Sequence, residues 1–343
     1  MADLFSPITI GNHKVKNRVV LPPLVVCGVH PDGLVNDAVV AHYESFARGG
    51  CGIIVQEATC VLPEGKLAGE QLVLFDDSHT DGMRRIADRV IPLGALLLMQ
   101  IHYASTEGMP DNVRPIGPSE YMGREGMCRA LSTTEVERIR DGFVAAAVRA
   151  EKAGYHGVEL HAAHGYLLCA FLNSKFNRRS DRYGDTTALT REIIEGIRQS
   201  TGPDFLVTAR IGIDNPDLAT GIASCKALEP SLDLLNLSHG MGREEPLPVP
   251  EGFPFVGLAW LACEAKKSLT KPVIAVGCLD EPGRAQQLIS EGYADFAAIG
   301  RGLLVDPEWA NKTQAGLPVM RCRRCKRCVW FKEQEKCPGR LAK

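Results

Sequence analysis

The feature that most constrains this chain is a repeated alternation. Eight short apolar runs recur along it: Arg18–Leu21, Gly52–Glu57, Ala95–Gln100, Gly157–His161, Leu206–Arg210, Leu234–Ser238, Val273–Gly277 and Phe296–Gly300. Each is bounded by Gly, Pro or polar residues. Strands covered on both faces read this way, because neither face is left to water. Amphipathic stretches fill the gaps. Glu135–Ala153 carries Val136, Ile139, Phe143, Ala147 and Ala150 at helical intervals. Ser132 and Glu135 have capping-box spacing at its start, and Gly154 suits a left-handed end. Arg191–Ser200 stops before Gly202-Pro203, and Pro282–Ser290 precedes Gly292. Eight strands alternating with helices predict an α/β fold, a (β/α)8 TIM barrel, which needs about 250 residues. A doubly wound sheet is the rival, but no Gly-x-Gly-x-x-Gly follows any strand.

The chain has 343 residues, so a surplus must be placed. An N-terminal strand pair up to Lys16 turns at Gly11-Asn12 and closes the barrel bottom. A loop insertion after strand three, Tyr103–Leu131, is rich in Gly, Pro and Met. A Cys-rich tail follows the last helix. The expected division is 1–318 for the barrel and 319–343 for the tail. With 39 basic against 41 acidic side chains, a generally cationic nucleic-acid binder is excluded. No apolar run approaches the roughly 20 residues that span a bilayer. Met1-Ala2-Asp3-Leu4 lacks the features of a secretory signal. The expectation is a cytoplasmic homo-oligomer acting on a small molecule, with no nucleic acid and no membrane.

Chemistry in such a barrel gathers where strands end. The ends offer Pro22-Pro23, Glu57-Ala58, Gln100, His161 with His164 and Tyr166, Arg210, His239, Gly277-Cys278 and Gly300-Arg301. Either glycine of the last two strands, taken alone, reads as a tight turn. Together they suit a phosphate held by backbone N–H groups and a helix N-terminus, with Arg301 as a fixed charge. His161 and His164, three apart on a turn, suit either a metal or an oxygen. No nearby carboxylate or cysteine completes a metal set, so an oxygen is favoured. Tyr166 adds an acid. An Arg210 guanidinium facing the barrel centre is costly unless an electron-rich group accepts it, as a flavin pyrimidine ring would. Gln100 could hydrogen-bond the same ring.

Longer stretches then carry a resemblance. Leu4-Phe5-Ser6-Pro7, Lys16-Asn17-Arg18-Val19-Val20 and Asp306-Pro307-Glu308-Trp309 frame it. Its most specific part runs from Ala153-Gly154-Tyr155-His156-Gly157-Val158-Glu159-Leu160 through His161-Ala162-Ala163-His164-Gly165-Tyr166-Leu167-Leu168, and on to Asp181-Arg182-Tyr183-Gly184. The chain resembles the old yellow enzyme family of FMN-dependent NAD(P)H oxidoreductases. It is nearest the branch of 2,4-dienoyl-CoA reductase and trimethylamine dehydrogenase. The resemblance implies FMN at the barrel top, with NADH or NADPH as reductant. Pro23, Leu24 and Val25 match the segment beneath the flavin. Ala58, Gln100 and Arg210 match ring contacts, and Gly277, Cys278, Gly300 and Arg301 match the phosphate site. His161 and His164 match the pair that holds the substrate oxygen, and Tyr166 the proton donor. Val25 stands where a Thr or Cys usually bonds the flavin. The family's Gln-Leu-x-His-x-Gly-Arg is replaced by Gln100-Ile101-His102-Tyr103-Ala104-Ser105-Thr106.

Twelve cysteines complete the picture. Eight are scattered and read as small core hydrophobes. Cys322, Cys325, Cys328 and Cys337 crowd into the tail at metal-ligand spacing. The resembling branch carries a four-iron cluster there, so a 4Fe-4S cluster is expected, with zinc as the alternative. The expected activity is reduction of a carbonyl-conjugated alkene by hydride from reduced flavin. An FMN and iron–sulfur dehydrogenase or demethylase of amines, served by a redox partner protein, is the second reading. A flavin-binding interaction protein is the third.

Overall fold

A computed structural model of the chain describes residues 2–26, 32–105, 115–123, 126–241, 247–330 and 333–341. Eight strands form the barrel: β1 (Val19–Leu21), β2 (Ile53–Cys60), β3 (Leu96–His102), β4 (Gly157–Ala162), β5 (Leu206–Gly212), β6 (Leu234–Ser238), β7 (Val273–Val276) and β8 (Phe296–Ala298). Neighbours follow chain order, every pairing is parallel, and β8 returns to β1. The TIM barrel expected from the alternation is therefore the observed fold. Four strands run past their expected ends: β2 to Cys60, β3 to His102, β4 to Ala162 and β5 to Gly212. The last two stop short of their glycines. Gly277 has φ +136°, outside the extended region, and that ends β7.

Helices cover the outside. They include α1 (Asp37–Arg48), α2 (Thr80–Val90), α3 (Thr133–Lys152), α4 (Ala188–Ser200), α5 (Leu218–Leu228), α6 (Gly257–Lys266) and α7 (Pro282–Ser290). The capping box at α3 forms in full. Ser132 accepts from the Glu135 N–H, and Glu135 accepts from the Ser132 N–H at 2.8 Å. Two apolar cores result. One lies between barrel and helices. The other fills the barrel, with Val20, Ile53, Leu98, Leu206, Ile274 and Phe296 among its members. Ile10 and Val15 join that inner core from the antiparallel strands Ile8–Ile10 and His13–Val15, so the N-terminal pair does plug the bottom.

Inner-core residues also fix which side chains face inward higher up. Leu96 and Leu98 point inside, so Gln100 and His102 on the same strand do too. The same parity on β4, β5 and β6 turns Glu159, His161, Arg210, Asn236 and Ser238 inward. Apolar filling therefore gives way to a polar layer toward the strand C-termini.

The Tyr103–Leu131 insertion is more ordered than a plain loop. It holds the strands Ile116–Gly117, Tyr121–Gly123 and Gly126–Ala130 in a small sheet. Tyr121 and Cys128 pack on Ala170, just past β4. Its residues 106–114 and 124–125 lie outside the described set. Among the described residues no helix is long and apolar enough to cross a membrane. Cys51, Cys60, Cys128, Cys169, Cys225 and Cys263 are buried single thiols, as small core hydrophobes should be. Cys27 lies outside the described residues.

Candidate active site

The polar layer at the barrel mouth is built by strand register. Gln100 sits opposite Glu159, Thr208 opposite Glu159, and Arg210 opposite both His161 and Asn236. Four strands thus deliver Gln100, Glu159, His161, Arg210 and Asn236 to one level or the next. Glu159 accepts from Gln100 Nε2 at 2.8 Å and from Asn236 Nδ2 at 2.9 Å. Arg210 Nη2 donates to Ser238 Oγ at 3.3 Å. All of these residues are buried.

Around His161 lies an aromatic cluster. The His161 ring centroid is 5.1 Å from His164, 4.9 Å from Tyr166 and 5.4 Å from His102. His102 meets Tyr166 edge-on at 4.5 Å. His164 Nε2 is 2.7 Å from Ser238 Oγ, and its backbone N–H donates to the His239 carbonyl at 3.0 Å. His164 has φ +62°. A side chain held in the left-handed region is strained, and such strain concentrates at functional sites. Burial is the main force on the imidazoles. It holds His161 well below its ordinary range, and it pushes His164 and His102 down to about 3. The nearby Arg210 charge pushes His161 and His164 the same way. The imidazoles are therefore neutral at physiological pH, each with one N–H to donate.

The residues expected to hold FMN surround this cluster. Pro23 is buried, and Leu24 and Val25 are half-buried on the segment leaving β1. Ala58 is buried in the end of β2, where a register shift between Gln56 and Thr59 bends the strand. Beside it, burial pushes the Glu57 carboxyl up to about 7, against hydrogen bonds from the Val26 N–H and Tyr43 hydroxyl. Gly277 must be glycine. A Cβ there would lie 2.8 Å from Val256. Cys278 follows with φ +51°. Gly300 abuts the end of β1, since a Cβ there would lie 3.6 Å from Pro22 and 3.9 Å from Leu24. Arg301 is exposed. So the β7 and β8 ends do present backbone in unusual conformations, with a cation beside them.

Whether these residues suit a flavin can be judged from buried polar atoms. Among the described residues, Arg210 Nε, Asn236 Oδ1, His161 Nδ1 and both His102 ring nitrogens are buried with no hydrogen-bond partner. An unpaired buried polar atom costs about 1–3 kcal/mol. Five in one layer describe a surface made for a polar, planar ligand. FMN fits it: Arg210 and Gln100 would hold the pyrimidine ring, and the Gly277-Cys278 and Gly300-Arg301 backbones the phosphate.

Known proteins agree. Residues 3–319 match the family described as NADH:flavin oxidoreductase / NADH oxidase. The chain belongs to that family. It is 37% identical to an NADH oxidase of Thermoanaerobacter brockii, over 94% of this chain and 52% of that protein. It is 31% identical to an NADPH dehydrogenase of Bacillus subtilis, over 90% of this chain and 93% of that protein. Among solved structures, a 2-naphthoyl-CoA reductase superposes with a TM-score of 0.83 at 25% identity, over 92% of this chain and 52% of that one. The chain thus spans about half the length of the first and third of these relatives. The old yellow enzyme resemblance is borne out.

The tail departs from expectation. Among the described residues no three His, Cys, Asp or Glu side chains gather into a metal-holding group. Cys337 is 7% exposed and joins the outer core with Trp330. Cys322 is half-buried, while Cys325 and Cys328 face water. The reason lies in what anchors the segment. The Trp330 indole N–H and the Arg340 guanidinium both donate to the Leu304 carbonyl, at 2.9 and 2.8 Å. Arg324 reaches Cys278 Sγ at 3.2 Å and Asp280 at 2.9 Å. The tail is fastened by these contacts, which do not turn the four thiols toward one point. The expected 4Fe-4S cluster, like the zinc alternative, does not fit this arrangement, and no step below uses either.

Sequence reasoning missed Glu159, Asn236 and Ser238 as site members and left His102 without a role. Period-two parity from Gln100 and His161 was the available signal.

Proposed function

We propose that the chain is an FMN-dependent, NADH- or NADPH-consuming reductase of alkenes conjugated to a carbonyl. The observation that carries this reading is the convergence of His161, His164 and Tyr166 beside buried Arg210. Bound FMN would supply the hydride. The chain supplies the rest. Neutral His161 and His164 each donate one N–H toward a substrate oxygen, stabilising the negative charge that develops there. Neutral donors suit a site that already holds the Arg210 cation. Tyr166, beside the His161 ring, delivers a proton to the carbon next to the carbonyl, and solvent restores its hydroxyl. Ser238 bridges Arg210 and His164, so the group facing the flavin and the group facing the substrate share one anchor. His102 lines the wall beside Tyr166.

The test is a two-step anaerobic measurement on Tyr166→Phe. Reduction of the flavin by NADH or NADPH should stay within about twofold of wild type. Reoxidation by an α,β-unsaturated ketone should slow by about 100-fold or more, the usual worth of a positioned general acid. Unchanged reoxidation would remove Tyr166 from the proposed role. Failure of both nicotinamides to bleach the flavin would overturn the reductase reading.

A further inference from the structure

A fully buried carboxylate lies beneath the cluster, and the chemistry above makes no use of it. Glu159 faces the barrel interior from β4, one inward position below His161. Each of its oxygens accepts one amide N–H: Oε1 from Gln100 Nε2 at 2.8 Å, Oε2 from Asn236 Nδ2 at 2.9 Å. These amides come from β3 and β6, on opposite sides of β4 and β5. A carboxylate can only accept, so it compels both amides to present their NH2 groups to it. A protonated carboxyl would aim its O–H at one of those N–H groups. Two N–H donors, one on each carboxyl oxygen, are the pattern that suits the ionised form.

Two consequences follow from that geometry. Gln100 has committed an NH2 hydrogen downward, so its carbonyl oxygen is the end left to meet a ligand. The Asn236 carbonyl oxygen is buried without a partner, as is Arg210 Nε on the neighbouring strand. The charges also balance. Burial is the largest force on Glu159 and raises its carboxyl above the ordinary range; the Arg210 charge and the hydrogen bonds of Asn236 and Gln100 oppose it and favour the anion. Thr208, from β5, sits opposite Glu159, and His161 and His102 in the layer above are neutral. Arg210 and Glu159 are thus a buried pair of opposite charge whose cation would also face the flavin.

We infer that Glu159 is a positioning residue for the flavin: it orients the Gln100 amide so that its carbonyl oxygen accepts from the ring N3–H, and its charge offsets Arg210 and so holds down the reduction potential of FMN. This rests on the proposed FMN site. Reduced flavin carries negative charge that Arg210 would stabilise. A carboxylate on the far side of Arg210 weakens that help. Glu159 therefore keeps the bound flavin a stronger hydride donor than Arg210 alone would allow.

The decisive measurement is the midpoint potential of FMN bound to Glu159→Gln, with FMN affinity from fluorescence quenching. The glutamine keeps shape and removes charge. The reduced flavin should gain at least tenfold over the oxidised form, a rise of about 30 mV for a two-electron couple. A potential equal to wild type, with FMN bound and melting temperature kept, would overturn the role. A second pair covers a Glu159 variant that fails to fold. Gln100→Glu would set a second carboxyl against Glu159, so its FMN affinity should improve at least tenfold from about pH 8 to about pH 6, as one of the two takes a proton. Gln100→Leu should show no such trend. Gln100→Glu binding that ignores pH means that no ionised carboxylate faces residue 100, and that too would overturn the inference. Wild-type chain that binds no FMN would overturn the functional reading itself, a result distinct from an unmoved potential in FMN-bound E159Q.

Discussion

The barrel mouth and the tail both advertise chemistry through closely spaced reactive side chains. At the mouth, His161, His164 and Tyr166 follow one another along six residues, and the structure brings their rings within about 5 Å of a common centre. In the tail, Cys322, Cys325 and Cys328 follow one another at similar spacing, yet the structure spreads them from half-buried to exposed. The difference is what lies underneath. The histidines leave a strand whose register with β3 and β5 fixes their height and direction. The cysteines sit on a segment without a strand or long helix, anchored by Trp330, Arg340 and Arg324. Spacing becomes a site only where a scaffold dictates direction.

The largest effect should come from removing the cation on which the mouth is built. Arg210→Met leaves Glu159 an uncompensated buried charge, a loss of about 3–5 kcal/mol of folding stability. FMN affinity should fall at least 100-fold in the same variant. Urea denaturation and flavin titration read both. The equivalent deletion in the tail, Arg324→Met, breaks only a half-exposed contact with Asp280 and Cys278. It should cost less than about 1 kcal/mol. Equal losses in the two variants would erase the contrast.

A pH series should separate the regions next. His102 and His164 are pushed down to about 3 and His42 to about 4, all from an ordinary 6.5. The unfolded chain takes up these protons below pH 6.5 and the folded chain does not. Stability is thus full above 6.5 and falls as pH drops toward 4, by about 1.4 kcal/mol per unit for each such histidine. Glu57 acts in the opposite sense, since its carboxyl is raised to about 7. It stabilises below about 4.5 and loses that contribution as pH climbs to 7. Three histidines outweigh one glutamate, so the urea midpoint should fall steadily from about pH 6.5 to about pH 5. Two of these histidines line the mouth, whereas His42 packs against Trp330 at 5.7 Å. His42→Phe should therefore flatten only the tail's share, while His102→Leu should flatten its own part of the mouth's and leave that of His164. An acid limb that neither variant changes would mean that these rings are not held neutral.

Ser238→Ala tests the mouth more finely. It removes the hydroxyl shared by Arg210 and His164, so each loses one hydrogen bond, worth about 1 kcal/mol. Alkene turnover should drop about tenfold and flavin reduction by less. Equal slowing of both half-reactions would show that Ser238 serves the flavin rather than His164.

These contrasts also explain what could be read ahead of the structure. The eight strands announce themselves because a strand buried on both faces must be a short apolar run. The last strands end before Gly277 and Gly300 because backbone angles, which apolarity does not encode, decide it. Gln100, Arg210 and the two histidines were readable as strand-end residues. Glu159 was not, because it sits one inward position deeper, and its partners Gln100 and Asn236 are 59 and 77 residues away. Ser238 closes an apolar run like any terminal serine until register sets it beside Arg210. The tail was misjudged for the converse reason: its spacing is local and vivid, but convergence of thiols depends on backbone path.

The smallest predicted effect decides that last point. Cys325 and Cys328 are exposed, and no core contact depends on either. Replacing both with serine should change stability by less than about 0.5 kcal/mol, as surface substitutions do. FMN content and alkene turnover should stay at wild-type values. Trp330→Ala in the same tail should cost about 3–5 kcal/mol, because it empties a buried aromatic site and frees the Leu304 carbonyl. If the cysteines instead held iron or zinc, the order would reverse. The double serine variant would lose metal by elemental analysis and destabilise the tail by more than Trp330→Ala does, since ligand bonds would then be its principal anchor. Metal analysis of wild type and variant, beside two melting curves, distinguishes a tail pinned by an indole from one pinned by thiolates.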